Sequence, residues 1–460
     1  MKSAQSQFIE PKLTDGSVGS HLVKLSLPML FNILMIVGFN LTDTYFIAQL
    51  GTNELAAMSF TFPVVTTLST LTTGLGDGAA SVIALAIGEG KRYKVQQLTT
   101  DSLMLSVLIG SISTFAALAT LEPLFAALGA RSDVLPLIQD YMQIWYLGLI
   151  FLVVPAIAMN VIRGFGNIKV LSLIMMTAMV INIVLDPLLI FGWGGFPRLE
   201  IKGAALATVI AQATTLIATT IFIYRERMLL LGLPKFKQVL KSWQKILYIG
   251  LPAAATNAIA PISIAIVTST IAFYGSEAIA GFGIASRLES LALIAFLALS
   301  ASIGPVVGQN WGAGKIDRVN RAFCLSLRFC LIWGSLAAIV LSLTSSWLAS
   351  VFNSNREVVS IVSTYMTIVP ISYATSGIIL ISSSTFIALG RALPSAAIAI
   401  AHMFILYVPL TRLGSQLFGV HGIFVAICFS NLIVGLGAFL WNRRTRQVMA
   451  ASDSLPPKIL

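Results

Sequence analysis

The chain has 460 residues, 57% hydrophobic and only 10% charged, with a mean hydropathy of +0.90. A soluble domain carries about 25% charged residues, so this composition excludes one and puts most of the chain in lipid. A net charge of +11 would suggest a nucleic-acid partner in a soluble protein. Here the bases cluster in short loops, as they do around membrane spans, and no nucleic-acid partner is expected.

Residues 1–24 are polar, and the first apolar run is too long for the h-region of a cleavable leader, so none is expected. Twelve apolar runs follow. The first, 25–48, opens at Leu27-Pro28 and contains Gly38, Asn40 and Asp43. The second, 56–87, carries Thr73-Gly74-Leu75-Gly76-Asp77-Gly78. Runs at 96–120 and 134–161 come next, the latter ending near Asn160. The fifth, 168–192, holds Asn182 and Asp186-Pro187, and the sixth, 203–224, holds Thr208. After a basic stretch come 245–272, 278–308 (with Arg287 and Glu289), 321–348, 358–388, 394–412 and 420–441. Each is long enough to cross a bilayer as a helix. The fold class is therefore an all-α integral membrane protein of twelve transmembrane helices. The three cysteines lie in or beside these runs, and free thiols are expected.

If the N-terminus is cytoplasmic, 22 of the 29 Lys and Arg fall on the inner side, from Lys2 to Lys458. Five fall outside, and Arg287 and Arg328 lie within spans. That bias puts both termini in the cytoplasm and makes the span number even. The cell's inner membrane is the expected location.

The two halves align at one offset. Leu27-Pro28 pairs with Leu251-Pro252, Gly51 with Gly275, and Gly88-x-Gly90-Lys91 with Gly312-x-Gly314-Lys315. Tyr141-Met142 pairs with Tyr365-Met366 and Gly166 with Gly390, so the shift is 224 residues throughout. A constant offset over this length is the mark of duplication. Six spans per copy give both copies one orientation, so they form two six-helix lobes related by a pseudo-two-fold axis along the membrane normal, with a cavity between them. The lobes are expected at 1–224 and 245–460, joined by a basic cytoplasmic linker at 225–244.

Four acids lie within spans: Asp43, Asp77, Asp186 and Glu289. An ionisable group at that depth is expensive and by default functional. Asn182 and Asp186 are four apart and share a helix face, so the amide can hold the carboxyl. Moving a carboxyl out of water penalises its charged form, which suits these acids to loading and releasing protons. Asp43 has Val267 as its counterpart in the second half, so the proton chemistry is expected in the first lobe. Asp77, among glycines that let helices approach closely, and Glu289, which with Arg287 can pair with inner loops, fit structural roles better. The three histidines have no metal-ligand spacing, and no phosphate-binding loop is present. Neither an enzyme nor a cofactor is expected.

Several stretches, in order, resemble the multidrug and toxic compound extrusion (MATE) transporters over essentially the whole chain. They are Leu27-Pro28, Gly88-Glu89-Gly90-Lys91, Arg163-Gly164-Phe165-Gly166-Asn167, Asp186-Pro187, Gly203-Ala204-Ala205-Leu206-Ala207-Thr208, Arg287-Leu288-Glu289-Ser290 and Gly308-Gln309-Asn310 with Gly312-Ala313-Gly314. The resemblance implies export of cationic drugs in exchange for H+ or Na+. In the DinF-like branch the coupling site matches Asp43, Asn182 and Asp186, with Asn160 and Thr208 as neighbours. The NorM-like branch uses acids on spans 7 and 10, and here those spans lack them at depth. Protons are thus the expected coupling ion, with Na+ as an alternative, and a monomer is expected. A flippase for lipid-linked sugars, or a receptor that binds without transporting, are the competing readings. Pro28 and Gly38 mark places where the first span can bend; Pro28 can equally be a harmless helix opener.

Overall fold

The computed structural model describes residues 12–131, 133–230, 232 and 235–451. Lys2 and Lys458 lie outside them. Hydrocarbon cannot hydrogen-bond a backbone, so spanning segments must be helical or form closed barrels. Among the described residues there is no strand. In chain order the helices are α1 (Val18–Ala48), α2 (Thr52–Gly88), α3 (Arg92–Ala127), α4 (Leu135–Leu147), α5 (Leu149–Gly164), α6 (Ile168–Phe191) and α7 (Ile201–Arg225). Then follow α8 (Phe236–Ile271), α9 (Ser276–Gly312), α10 (Ile316–Phe352), α11 (Arg356–Ile368), α12 (Tyr373–Ala388), α13 (Ala392–Ile400) and α14 (Val408–Ala451). A π-helical segment, Ala401–Tyr407, joins α13 to α14.

Among the described residues ten helices are long and apolar enough to cross a membrane, and α4 with α5, bent by 49°, makes an eleventh span. The bend falls at Gly148, where any Cβ would strike Val209 of α7. The run Ala392–Val448 is interrupted at Phe418 and at Gly419, whose φ of 60° and ψ of −141° leave the helix. Its two arms bring the number to twelve.

The backbone forms two compact units. One takes in Pro28–Ala254, the other residues 12–27 and 255–451. The first turns of α1 thus belong to the second unit, and those of α8 to the first. The duplication is visible in the turns. Gly90 and Gly314 have φ of +72° and +71°, and Gly166 and Gly390 have +78° and +75°. A side chain would strain this left-handed conformation, which is why glycine stands at both copies of each turn.

In the first unit α2 is central, with 83% of its most apolar window buried. Lipid tails are as apolar as leucine, so small residues that let backbones meet decide helix association. Gly74 abuts the backbone of Ala254, Gly76 abuts Asn160, and Gly78 lies against Ile246 and Gly250. Between them Asp77 accepts from Arg163 Nη2 of α5 at 2.5 Å, so this acid is paired. In the second unit the segment before α1 is strapped to the α9–α10 turn. Leu13 N–H donates to Gln309 Oε1 (3.2 Å), Asn310 Nδ2 donates to the Leu13 carbonyl (3.1 Å), and Lys315 Nζ reaches Asp15 Oδ1 at 2.9 Å. Arg318 Nη1 donates to the Gly16 carbonyl at 2.7 Å. All three cysteines are free thiols.

The turn after α2 yields a pH test. Burial alone would raise the Glu89 carboxyl, but hydrogen bonds and charge from Lys94, then Lys91, outweigh it and hold it below its ordinary value. A carboxyl lowered in the folded state stabilises above its unfolded pKa, and that contribution disappears as pH falls through the lowered folded value. Both lysines are largely exposed, so solvent screens the gain to about 0.5 kcal/mol. Glu89→Gln should lower the melting temperature slightly at neutral pH, and the difference from wild type should vanish on the acid side of the usual carboxylate range.

Candidate functional site

The expected coupling residues sit where α1 runs alongside α6. The two helices are parallel and touch at three levels. Ser172 Oγ donates to the Pro28 carbonyl at 3.2 Å. A Cβ at Gly38 would lie 3.1 Å from Met179 Cε. Phe46 meets Phe191 edge-on, with centroids 6.2 Å apart. Asp43 therefore stands between the second and third contacts, as do Asn182 and Asp186 on the other helix. Pro28 is not at the start of α1: the helix begins at Val18, so the proline removes a mid-helix hydrogen bond. The strap on α9–α10 extends the helix upstream, and nothing in the apolar pattern announces that extension.

Asp43 is 4% exposed, and Asn182 and Asp186 are fully buried. Asn182 Nδ2 donates to Asp186 Oδ1 at 3.4 Å, a long bond across one helical turn. Asp43 Oδ1, Asp186 Oδ2, Asn182 Oδ1 and Thr208 Oγ1 have no hydrogen-bond partner. Leaving such atoms unpaired costs about 1–3 kcal/mol each. The charges of Asp43 and Asp186 repel one another, and both act on the buried hydroxyl of Tyr141 on α4. Three helices, α1, α4 and α6, thus bring two carboxyls, an amide and a hydroxyl into mutual influence in the first unit. A proton shared between the carboxyls would relieve the repulsion and fill an open acceptor.

Thr208 lies on α7 and is 7% exposed. Asn160 is placed differently: its Nδ2 donates to the Ala156 carbonyl of its own helix at 2.9 Å, and it packs on α2 at Gly76. Tyr141 escaped the sequence argument, although its place in the repeat, opposite Tyr365, was the available signal.

The MatE family model matches this chain twice, at residues 28–188 and 252–413. The chain belongs to the MATE family. The two matches begin 224 residues apart, which is the offset of the internal repeat. A Shewanella oneidensis relative named "FAD transporter" is 38% identical over 96% of this chain and 98% of its own length. The Staphylococcus aureus "Multidrug export protein MepA" is 24% identical over 96% of both chains. Among solved structures, the Vibrio cholerae MATE transporter VcmN in its bent form is 29% identical, with a TM-score of 0.88 over 94% of this chain and 97% of that one. The chain is therefore a multi-pass membrane transporter of the two-lobed, twelve-helix MATE fold.

The orphaned hydroxyl gives a test of the site that does not depend on transport. Thr208→Val keeps the shape and removes an unpartnered buried oxygen, so it should leave the melting temperature unchanged or raise it, by up to about 1 kcal/mol of stability. A clear fall in the melting temperature of purified protein would mean that the hydroxyl has a structural partner.

Proposed function

We propose that this chain is a proton-driven efflux antiporter that exports amphipathic small molecules, cationic drugs among them, by alternating access. The coupling site is Asp43, Asp186 and Asn182 in the N-terminal lobe, with Thr208 and Asn160 as its neighbours. The single observation that supports this best is the pair of buried carboxyls on facing helices with unpartnered oxygens. The chain sits in the inner membrane as a monomer with both termini cytoplasmic. Its lobes are 1–224 and 245–460, and 225–244 links them. Homologues named for multidrug export support the cargo class.

A second cargo reading rests on the 38% identical relative named for FAD transport. A flavin dinucleotide shares the flat aromatic body of many drugs but is anionic. Proteoliposomes decide both questions. Export of a fluorescent cation and of FAD is measured under a pH gradient and, separately, under a Na+ gradient. Cation export under the pH gradient alone is the expected result. Transport that follows only the Na+ gradient sinks the proton reading, and export of FAD alone moves the cargo to dinucleotides.

Asp43→Asn keeps shape and hydrogen bonding but cannot carry a proton. It should abolish export at normal membrane expression, as should Asp186→Asn. Asn182→Ala removes one hydrogen bond to a carboxyl and should cost about tenfold, or ~1.4 kcal/mol. Undiminished export by well-expressed Asp43→Asn protein would make this acid structural.

Protonation also reshapes α1 in this mechanism. Discharging Asp43 removes the reason to keep polar partners around it, and a helix weakened at Pro28 and Gly38 then repacks within its own lobe and expels the cargo. Spin labels on α1 and α6 should report different separations at low and high pH. Identical distance distributions in transport-competent protein would leave Asp43 as a static carrier.

A further inference from the structure

The second unit holds one acid at membrane depth, and its partner is not an inner loop. Tyr365 of α11 donates its hydroxyl to Glu289 Oε2 of α9 at 2.6 Å. Tyr365 is 2% exposed and is held edge-on against Phe282 (5.9 Å) and Phe424 (4.9 Å). The charge of Glu289 also acts on Tyr373, at the start of α12, and on Tyr407, at the end of the π-helical segment. Tyr373 is fully buried, and its hydroxyl has no partner. His402 stands edge-on to Tyr407 with centroids 5.6 Å apart, and its Nε2 is buried and unpartnered. These two residues are five apart. A π-helix bonds i to i+5 and is found frequently at functional sites, and here the widened turn holds the two rings edge to face.

No basic side chain acts on the charge of Glu289. Arg287 on the same helix, Arg328 and Asp317 on α10, Arg356 and Glu357 on α11, and His421 on α14 are all exposed. Helix α12 carries no charged residue. Cys330 of α10 is buried but faces Gly377 and Phe296. Glu289 is thus a carboxyl paired with one buried tyrosine hydroxyl and with no counter-cation.

The repeat gives this arrangement a meaning. Tyr365 is the counterpart of Tyr141, 224 residues earlier, and Tyr141 is the hydroxyl on which Asp43 and Asp186 act. One duplicated tyrosine therefore serves an acid in each unit, although the acids come from different helices. Asp43 has Val267 as its counterpart, and Glu289 has Val65.

We propose that the second unit contains its own proton-binding site, in which the Glu289 carboxyl gains and loses the proton and the Tyr365 hydroxyl pairs with both forms. A hydroxyl can donate or accept. It therefore donates to the carboxylate and, after rotation, accepts from the protonated acid, so neither state leaves the carboxyl unpaired. A hard metal cation needs several oxygen ligands at once. One carboxylate does not supply them, and the described residues hold no metal-competent group of His, Cys, Asp or Glu. The site goes beyond the coupling acids of the first unit and does not depend on the cargo.

The test uses full-length protein carrying Asp43→Asn and Asp186→Asn, so the two facing acids of the first unit cannot titrate. Proton uptake after an acid step is read with a pH indicator, and melting temperature reports folding. Adding Glu289→Gln to this background should lower the uptake by about one proton per chain, and Tyr365→Phe should shift the midpoint of that proton. Equal uptake with and without Glu289→Gln overturns the proposal. If Glu289→Gln protein does not fold, an unmoved midpoint in Tyr365→Phe overturns it instead. Because every variant lacks those two facing acids, the outcome stands apart from that of the transport assays.

Discussion

Hydrocarbon offers no hydrogen bonds, and the whole architecture answers to that constraint. It makes the chain helical from α1 to α14, because only a helix satisfies a lone segment's backbone in lipid. It also makes every interior polar group conspicuous. Asp77 meets the constraint by pairing with Arg163. Asp43, Asp186 and Asn182 meet it incompletely, with buried oxygens left unpartnered. Where two helices must come close, side chains are reduced to glycine, as along the Gly74–Gly78 stretch of α2.

Much of this was legible in the sequence because the constraint acts on composition. The length of the apolar runs reports a physical requirement of spanning a bilayer, and the 224-residue offset reports the duplication. Asn182 and Asp186 could be paired because helical spacing fixes which residues share a face. What escaped depends on contacts between distant parts of the chain. The Arg163–Asp77 bond joins residues 86 apart, and no local pattern predicts it. The start of α1 at Val18 depends on the strap to α9 and α10. Apolar residues surround most spans on all sides, so periodicity could not show that Tyr141 points to the acids. The π-helical turn at Ala401–Tyr407 leaves no trace in hydropathy at all.

The duplication shows what selection kept and what it let drift. The glycine turns have nearly identical backbone angles in both copies, since a left-handed turn tolerates few substitutes. The tyrosine at 141 and 365 is also kept. The acids moved. Valine stands at the positions that match Asp43 and Glu289 in the other copy, Val267 and Val65. The scaffold is thus symmetric, while the groups that can change charge are distributed over it asymmetrically.

The exchange of helix ends between the units governs how this chain can be made. Residues 12–27 belong with the second unit, and the Leu13–Asn310 bond spans 297 residues. During synthesis the first unit emerges while the docking turn for its leading segment does not yet exist. That segment must wait through the insertion of seven further spans before Gln309, Lys315 and Arg318 arrive to hold it. Chains normally fold from the N-terminus as they emerge; here the first residues ordered in sequence are among the last to be ordered in space. Closure of the strap therefore reports that the chain has been inserted as far as the α9–α10 turn.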